Sequence, residues 1–215
     1  MRAIVFINGL IEDYAKLAAL VHENDFLVGA DGGTRHCLAI GRTPHLVVGD
    51  LDSLESHILN QLAEQDVEVE RHPAEKDATD LELAIESALR HDADEIVLVG
   101  ALGGRLDQTL ANLLILAQSR WSIPIHLVEG EQTAQIVRGG ENVTLTGSVG
   151  DTVSVLPLCD EVTGLTFTGL KYPLDNFTMP FGSTRGISNE IVDHPVTIRI
   201  ATGTLLAVHL PANTQ

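Results

Sequence analysis

Asp50 and Asp52 stand one residue apart in "GDLDS" (49–53), directly after the apolar run "HLVV", so two negative charges fall where a buried strand ends. Three further segments share this character: "ADGGTRH" (30–36), "EKDATD" (75–80) and "GALGGRLDQ" (100–108). Each carries aspartate, and Arg35, Lys76 and Arg105 lie within them although the chain has only 13 Lys and Arg in all. Carboxylates brought together repel unless a cation holds them. Aspartate oxygens suit Mg²⁺, which keeps several waters and bridges to phosphates. Glycine turns let backbone N–H groups approach anionic oxygens, and a helix N-terminus adds a favourable dipole. Carboxylates, glycine turns and isolated cations together suit a site for Mg²⁺ and a polyphosphate.

The flanking pattern says what positions these segments. Up to about residue 130, the apolar runs "AIVFI", "FLVGA", "HLVVG", "VEVE", "EIVLVG" and "PIHLVE" read as strands. Between them, "EDYAKLAALVHE", "LESHILNQLAEQ", "DLELAIESALRH" and "QTLANLLILAQS" read as helices. In the third of these, Leu81, Ala84, Ile85, Ala88 and Leu89 recur on one helical face. Strands alternating with helices predict a largely parallel, doubly wound sheet, whose ligands bind beyond the carboxyl ends of its strands. From residue 132 the chain turns to Thr- and Val-rich runs broken by glycine, which predict an antiparallel β-domain. The expected division is 1–131 and 132–215, with "ATGT" (201–204) turning a final hairpin.

Composition narrows the function. A net charge of −17 opposes binding to nucleic acid, and hydrophobic residues at 44% fit a folded chain. No stretch approaches the ~18 apolar residues of a membrane span. The apolar run before Asn8-Gly9 is too short for a signal peptide, so the expectation is a cytoplasmic protein. Cys37 and Cys159 offer no disulfide framework and no metal-ligand spacing. Plainer readings exist for each acidic segment. Thr79-x-x-Glu82 is a capping box, Asp80 and Asp107 suit a helix start, and "ADGG" makes an ordinary turn. An EF-hand fails at "GDLDS", because Glu55 and Gln61 stand where Gly and Glu belong. Neither a dinucleotide G-x-G-x-x-G nor a P-loop is present. Against the plainer readings stands the coincidence of all four segments at successive strand ends.

With these motifs in this order, the sequence resembles the thiamine pyrophosphokinase family. The matches are "ADGG" (30–33), "GDLDS" (49–53), "KDATD" (76–80), "GGRLDQTLAN" (103–112) and "STRGISNE" (183–190), spread over nearly the whole chain. The resemblance implies an α/β domain for ATP, Mg²⁺ and catalysis, followed by a β-sandwich for thiamine binding and dimerisation. It implies pyrophosphate transfer from ATP to thiamine, giving thiamine diphosphate and AMP, in a homodimer with shared active sites. It places Asp50, Asp52, Asp77 and Asp80 at the metal, and Asp52, Asp77, Asp80, Arg105 and Asp107 in catalysis. ATP would meet Asp31, Gly32, Gly33, Lys76, Gly104, Arg105 and Gln108. Thiamine would meet Tyr172, Ser188 and Asn189. Tyr172 stands where many animal members carry Trp, and Gln108 where many bacterial members carry His, so Gln108 takes no proton-transfer role. Rival readings are a pyrophosphokinase for another alcohol such as a hydroxymethylpterin, a phosphatase of the haloacid-dehalogenase type, and a non-catalytic thiamine- or nucleotide-binding dimer. The phosphatase would need its nucleophilic Asp after the first strand, followed by D-x-[TV]; here Ser53 and Leu54 come next.

Overall fold

The structure is a computed structural model and describes residues 1–73, 75 and 77–212. The chain falls into two compact units, one of Met1–Ile115 with Ser119–Gly130, the other of Leu116–Gln118 with the chain from Glu131 on.

The first unit runs β1 (Arg2–Phe6), α1 (Tyr14–Leu20), β2 (Phe26–Ala30), α2 (Thr34–Ala39), β3 (Leu46–Gly49), α3 (Ser56–Glu64), β4 (Glu68–Arg71), α4 (Asp80–Arg90), β5 (Glu95–Val99), α5 (Leu106–Ile115) and β6 (Ile125–Glu129). Its strands pair in parallel in the order β6-β5-β1-β2-β3-β4. The order reverses beside β1, which lies between β2 and β5, and that reversal opens a crevice at the carboxyl ends. Ala3 to Phe6 and Leu46 to Val48 are wholly buried, as strands covered on both faces must be. On α4 the buried stripe is Leu81, Ala84, Ile85 and Ala88, while Leu89 is only half-buried. Thr79 caps that helix, its Oγ1 accepting from Glu82 N at 3.2 Å, and Asp80 opens its first turn. The six-residue α2 has too few turns to show a periodic face, and the sequence pattern does not mark it.

The second unit is built of β7 (Gln132–Arg138), β8 (Asn142–Leu145), β9 (Thr152–Pro157), β10 (Glu161–Thr168), β11 (Phe177–Pro180), β12 (Asn189–Glu190), β13 (Val196–Arg199) and β14 (Thr204–Leu210). Two antiparallel arrays, β12-β9-β14-β7 and β11-β10-β13-β8, bury a shared core that includes Val137, Val155 and Leu205 from one and Val162, Leu165 and Ile198 from the other. The expected final hairpin does not form. β13 pairs with β10 and β8, whereas β14 pairs with β7 and β9. The reason is local: Ala201 N donates to Thr163 O at 2.8 Å, so residues 201–202 are held by β10 and "ATGT" crosses between sheets. Buried Asp151 ties this unit's end, accepting from Ser148 N at 2.7 Å, Ala212 N at 3.0 Å and the His209 ring at 2.8 Å. Both cysteines are free, and burial pushes the Cys37 thiol up to about 12. Among the described residues, no helix is long and apolar enough to cross a membrane.

Candidate active site

The loops leaving β1, β2, β3 and β5 surround a cavity of about 360 Å³ in the first unit. Its lining includes Asn8 and Gly9 after β1, Asp31 after β2, Asp50 and Ser53 after β3, Thr79 and Asp80 at the start of α4, and Gln108 and Asn112 on α5. Carboxylate oxygens of Asp31, Asp50 and Asp52 lie within 4.8 Å of one another. The chain geometry that brings them there is specific. Asp31 and Leu51 both take positive φ, 46° and 66°, which non-glycine residues adopt at a cost of ~1–2 kcal/mol. The Asp50 side chain accepts Asp52 N at 3.1 Å and closes a tight turn around Leu51, so both carboxylates face the same end of the sheet. Gly49 permits the approach of the neighbouring loop: a Cβ there would lie 3.0 Å from Asp31 Cβ and 3.3 Å from Asp80 Oδ1.

These groups fit a hard cation. Asp31 Oδ1 is buried with no hydrogen-bond partner among the described residues, beside two other carboxylates. A buried, unbonded carboxylate oxygen is costly alone and satisfied by an ion. Asp80 borders the same cavity, whereas Asp77 is exposed in the preceding loop and belongs neither to the three converging carboxylates nor to the cavity lining. Lys76 lies outside the described residues.

Other expected residues take varied positions. Gly32 and Gly33 are buried, and each allows a close approach: a Cβ on Gly32 would meet the Asn8 amide, and one on Gly33 the Phe6 carbonyl. Gly104 is exposed at φ 74°, and Arg105 beside it grips its own neighbour, with Nε to Asp107 Oδ1 at 3.1 Å and a terminal nitrogen to Oδ2 at 2.6 Å. Those two bonds from Arg105 hold the Asp107 carboxyl down to about 2. Gln108 lines the cavity from the first turn of α5. Arg35 braces the acidic loop, donating to Ser53 O and to Glu55 Oε2.

In the second unit, Tyr172 is 63% exposed. Asn189 is buried and bound to the Tyr172 backbone on both sides, with Oδ1 accepting Tyr172 N at 3.0 Å and Nδ2 donating to Tyr172 O at 2.8 Å. Asn189 thus sets the Tyr172 backbone, using amide capacity that would otherwise face a ligand. Ser188 takes φ 57°, and its N–H donates to Ser154 Oγ at 3.0 Å.

Sequence reasoning missed Asn8, Gly9 and Asn112 on the cavity wall. Asn112 Nδ2 donates to Ala101 O at 2.8 Å, tying α5 to the loop after β5. The signal was present in part, since "ING" follows the first strand as "ADGG" follows the second. It reads as a plain turn without the neighbouring loops.

Comparison with known proteins bears on both units. Residues 17–127 match the family model "Thiamin pyrophosphokinase, catalytic domain", and residues 140–205 match "Thiamin pyrophosphokinase, vitamin B1 binding domain". The chain is 32% identical over 193 residues to the thiamine pyrophosphokinase of Bacillus subtilis (strain 168), covering 89% of this chain and 90% of that protein. It is similar to the crystal structure of the Bacillus subtilis thiamine pyrophosphokinase, with TM-score 0.87 and 30% identity, over 98% of this chain and 99% of that one. The crystal structure of a thiamin pyrophosphokinase from Geobacillus thermodenitrificans matches with TM-score 0.84 and 32% identity, over 100% of this chain and 99% of that one.

Proposed function

The chain belongs to the thiamine pyrophosphokinase family, and from that premise we propose how its residues divide the work of moving pyrophosphate from ATP to thiamine. Its activity is that of a thiamine pyrophosphokinase. The observation that carries the division of labour is the convergence of Asp31, Asp50 and Asp52, with one oxygen of Asp31 buried and unbonded, at the rim of a cavity at the strand ends.

Asp31, Asp50 and Asp52 would hold Mg²⁺, with Asp80 close by. When bound, Mg²⁺ supplies charge neutralisation to the phosphate oxygens. Arg105 would turn from Asp107 to donate to phosphate oxygens, its planar fork matching two of them at once. The thiamine hydroxyl attacks the β-phosphorus in line, AMP leaves, and a carboxylate bordering the cavity takes the hydroxyl proton. Positioning does most of the remaining work. Tyr172, which is exposed, would lie against the thiamine cation, where a cation–π contact is typically worth ~0.5–2 kcal/mol. Asn189 holds the Tyr172 backbone through its amide, and the turn at Ser188 would border the aminopyrimidine.

We further place two copies of the chain around shared sites. Leu106, Leu110 and Leu114 stand four residues apart on one face of α5 and are 74%, 51% and 54% exposed, an apolar stripe that a second copy would cover. An ATP-consuming enzyme with free thiols suits the cytoplasm. Offering ATP and Mg²⁺ with either thiamine or a hydroxymethylpterin tests the reading: AMP should appear with thiamine alone. AMP formed only with the pterin would assign a different acceptor.

A further inference from the structure

The buried histidine of α2 stands apart from the carboxylates but touches the cavity wall. His36 is 9% exposed, and each ring nitrogen has a partner. Nε2 lies 3.1 Å from Gly9 O and Nδ1 lies 2.8 Å from Tyr14 Oη. A carbonyl oxygen can only accept, so Nε2 carries the proton; Nδ1 is then the acceptor for the tyrosine O–H. Burial, with the nearby Arg35 charge, pushes the imidazole pKa down against the opposing Gly9 bond, which favours the neutral ring.

The loop that His36 holds has little slack. Ile7 N donates to Val99 O at 2.9 Å, Gly9 N to Gly100 O at 2.8 Å and Leu10 N to Leu102 O at 2.9 Å, so the loops after β1 and β5 are zipped together. A Cβ at Gly9 would run into the Gly100 and Leu102 carbonyls, and one at Gly100 would sit 3.5 Å from the His36 ring. Asn8, Gly9, Ala101 and Gly103 of these two loops line the cavity. His36 itself follows Asp31 by little more than one helical turn, on the same connection. One imidazole therefore links three strand-end loops: those after β1, β2 and β5.

We propose that His36, fixed as the Nε2–H tautomer by Tyr14, is a positioning residue that sets the Asn8–Gly9 wall of the cavity for the nucleotide. This rests on the reading that ATP, expected to meet Asp31 and Gln108, occupies the cavity those residues line. His36 touches no reacting atom; it acts through the Gly9 carbonyl. Glutamine can place an amide N–H where Nε2–H stands, whereas leucine fills the space without a donor. Tyr14→Phe removes only the O–H that fixes the tautomer.

The test measures Mg·ATP affinity by calorimetry without thiamine, then steady-state kinetics, on wild type, Tyr14→Phe, His36→Gln and His36→Leu, each with a melting curve. His36→Leu should weaken Mg·ATP binding and raise KM for ATP about ten-fold (~1.4 kcal/mol), with KM for thiamine unchanged. Tyr14→Phe should move the same constants in the same direction by a smaller factor, and His36→Gln should restore them to within about three-fold. Unchanged ATP constants in His36→Leu and Tyr14→Phe overturn the inference. So does a His36→Gln protein as impaired as His36→Leu, or losses that follow the melting temperature and strike both substrates equally. A wild-type protein that does not bind Mg·ATP overturns the reading of the cavity itself, and the inference with it.

Discussion

Asp52 is exposed, and its carboxylate accepts the Ser53 hydroxyl at 3.2 Å; among the described residues nothing else in the local packing explains why a charge is needed there. Its place beside Asp31 and Asp50 does. Asp52→Asn removes a charge from the cluster and little else, so turnover should fall by a hundred-fold or more, about 2.7 kcal/mol at 1.36 kcal/mol per decade. The metal-free melting temperature should hold or rise, because like-charge repulsion is relieved. Turnover at saturating Mg²⁺ and a melting curve check both; near-normal turnover removes Asp52 from the metal. Asp50 and Asp52 were legible because their charges interrupt an apolar run. Asp31 was legible as part of "ADGG", but not as their neighbour, since that needs Gly49 to let two loops approach. Nor does the sequence mark Leu51 as the left-handed residue of the turn, because Leu has no preference for positive φ.

At the scale of elements, strands were the easiest to read, since a strand buried on both faces is a continuous apolar run. The short α2 and the path of "ATGT" were not. A glycine-containing stretch between two β runs reads equally as a hairpin turn or as a crossing, and the choice is made by β10, nearly forty residues away in sequence. Distant closures of this kind also carry stability. Asp151 binds Ser148 N, Ala212 N and His209, and these bonds, the Ser148 N–H foremost, hold its carboxyl below the usual range. A depressed carboxyl stabilises the fold above its unfolded pKa of about 3.9, and that contribution is lost as pH falls through the folded value. Asp151→Asn turns an N–H₂ group toward one of the donors. It should cost roughly 1–3 kcal/mol at neutral pH, the range for a buried donor left unpaired. Urea melts at pH 7 and pH 3 should show the deficit shrinking in acid; an equal deficit at both would remove the ionised carboxylate from the explanation.

At the scale of the molecule, the change of texture near residue 130 was legible because a helical period gives way to Thr and Val alternation, and the family motifs run across both parts. The proposal of shared sites belongs to this scale, because it needs a second copy of the chain. If the carboxylates proposed to hold Mg²⁺ in one copy work with the Tyr172 of another, Tyr172→Ala and Asp52→Asn proteins should each be nearly inactive alone. After subunit exchange, mixtures should regain activity, up to roughly one intact site per heterodimer by symmetry. A mixture that stays dead despite proven exchange would put both halves of the site in one chain.

The central claim is transfer of an intact pyrophosphate, and the products report it directly. Wild-type protein is incubated with ATP, Mg²⁺ and thiamine, and the nucleotides and thiamine esters are separated and counted. The account predicts AMP and thiamine diphosphate in a one-to-one ratio, both absent without thiamine and both lost in Asp52→Asn. ADP with thiamine monophosphate, or AMP released with free pyrophosphate and no thiamine ester, would contradict it.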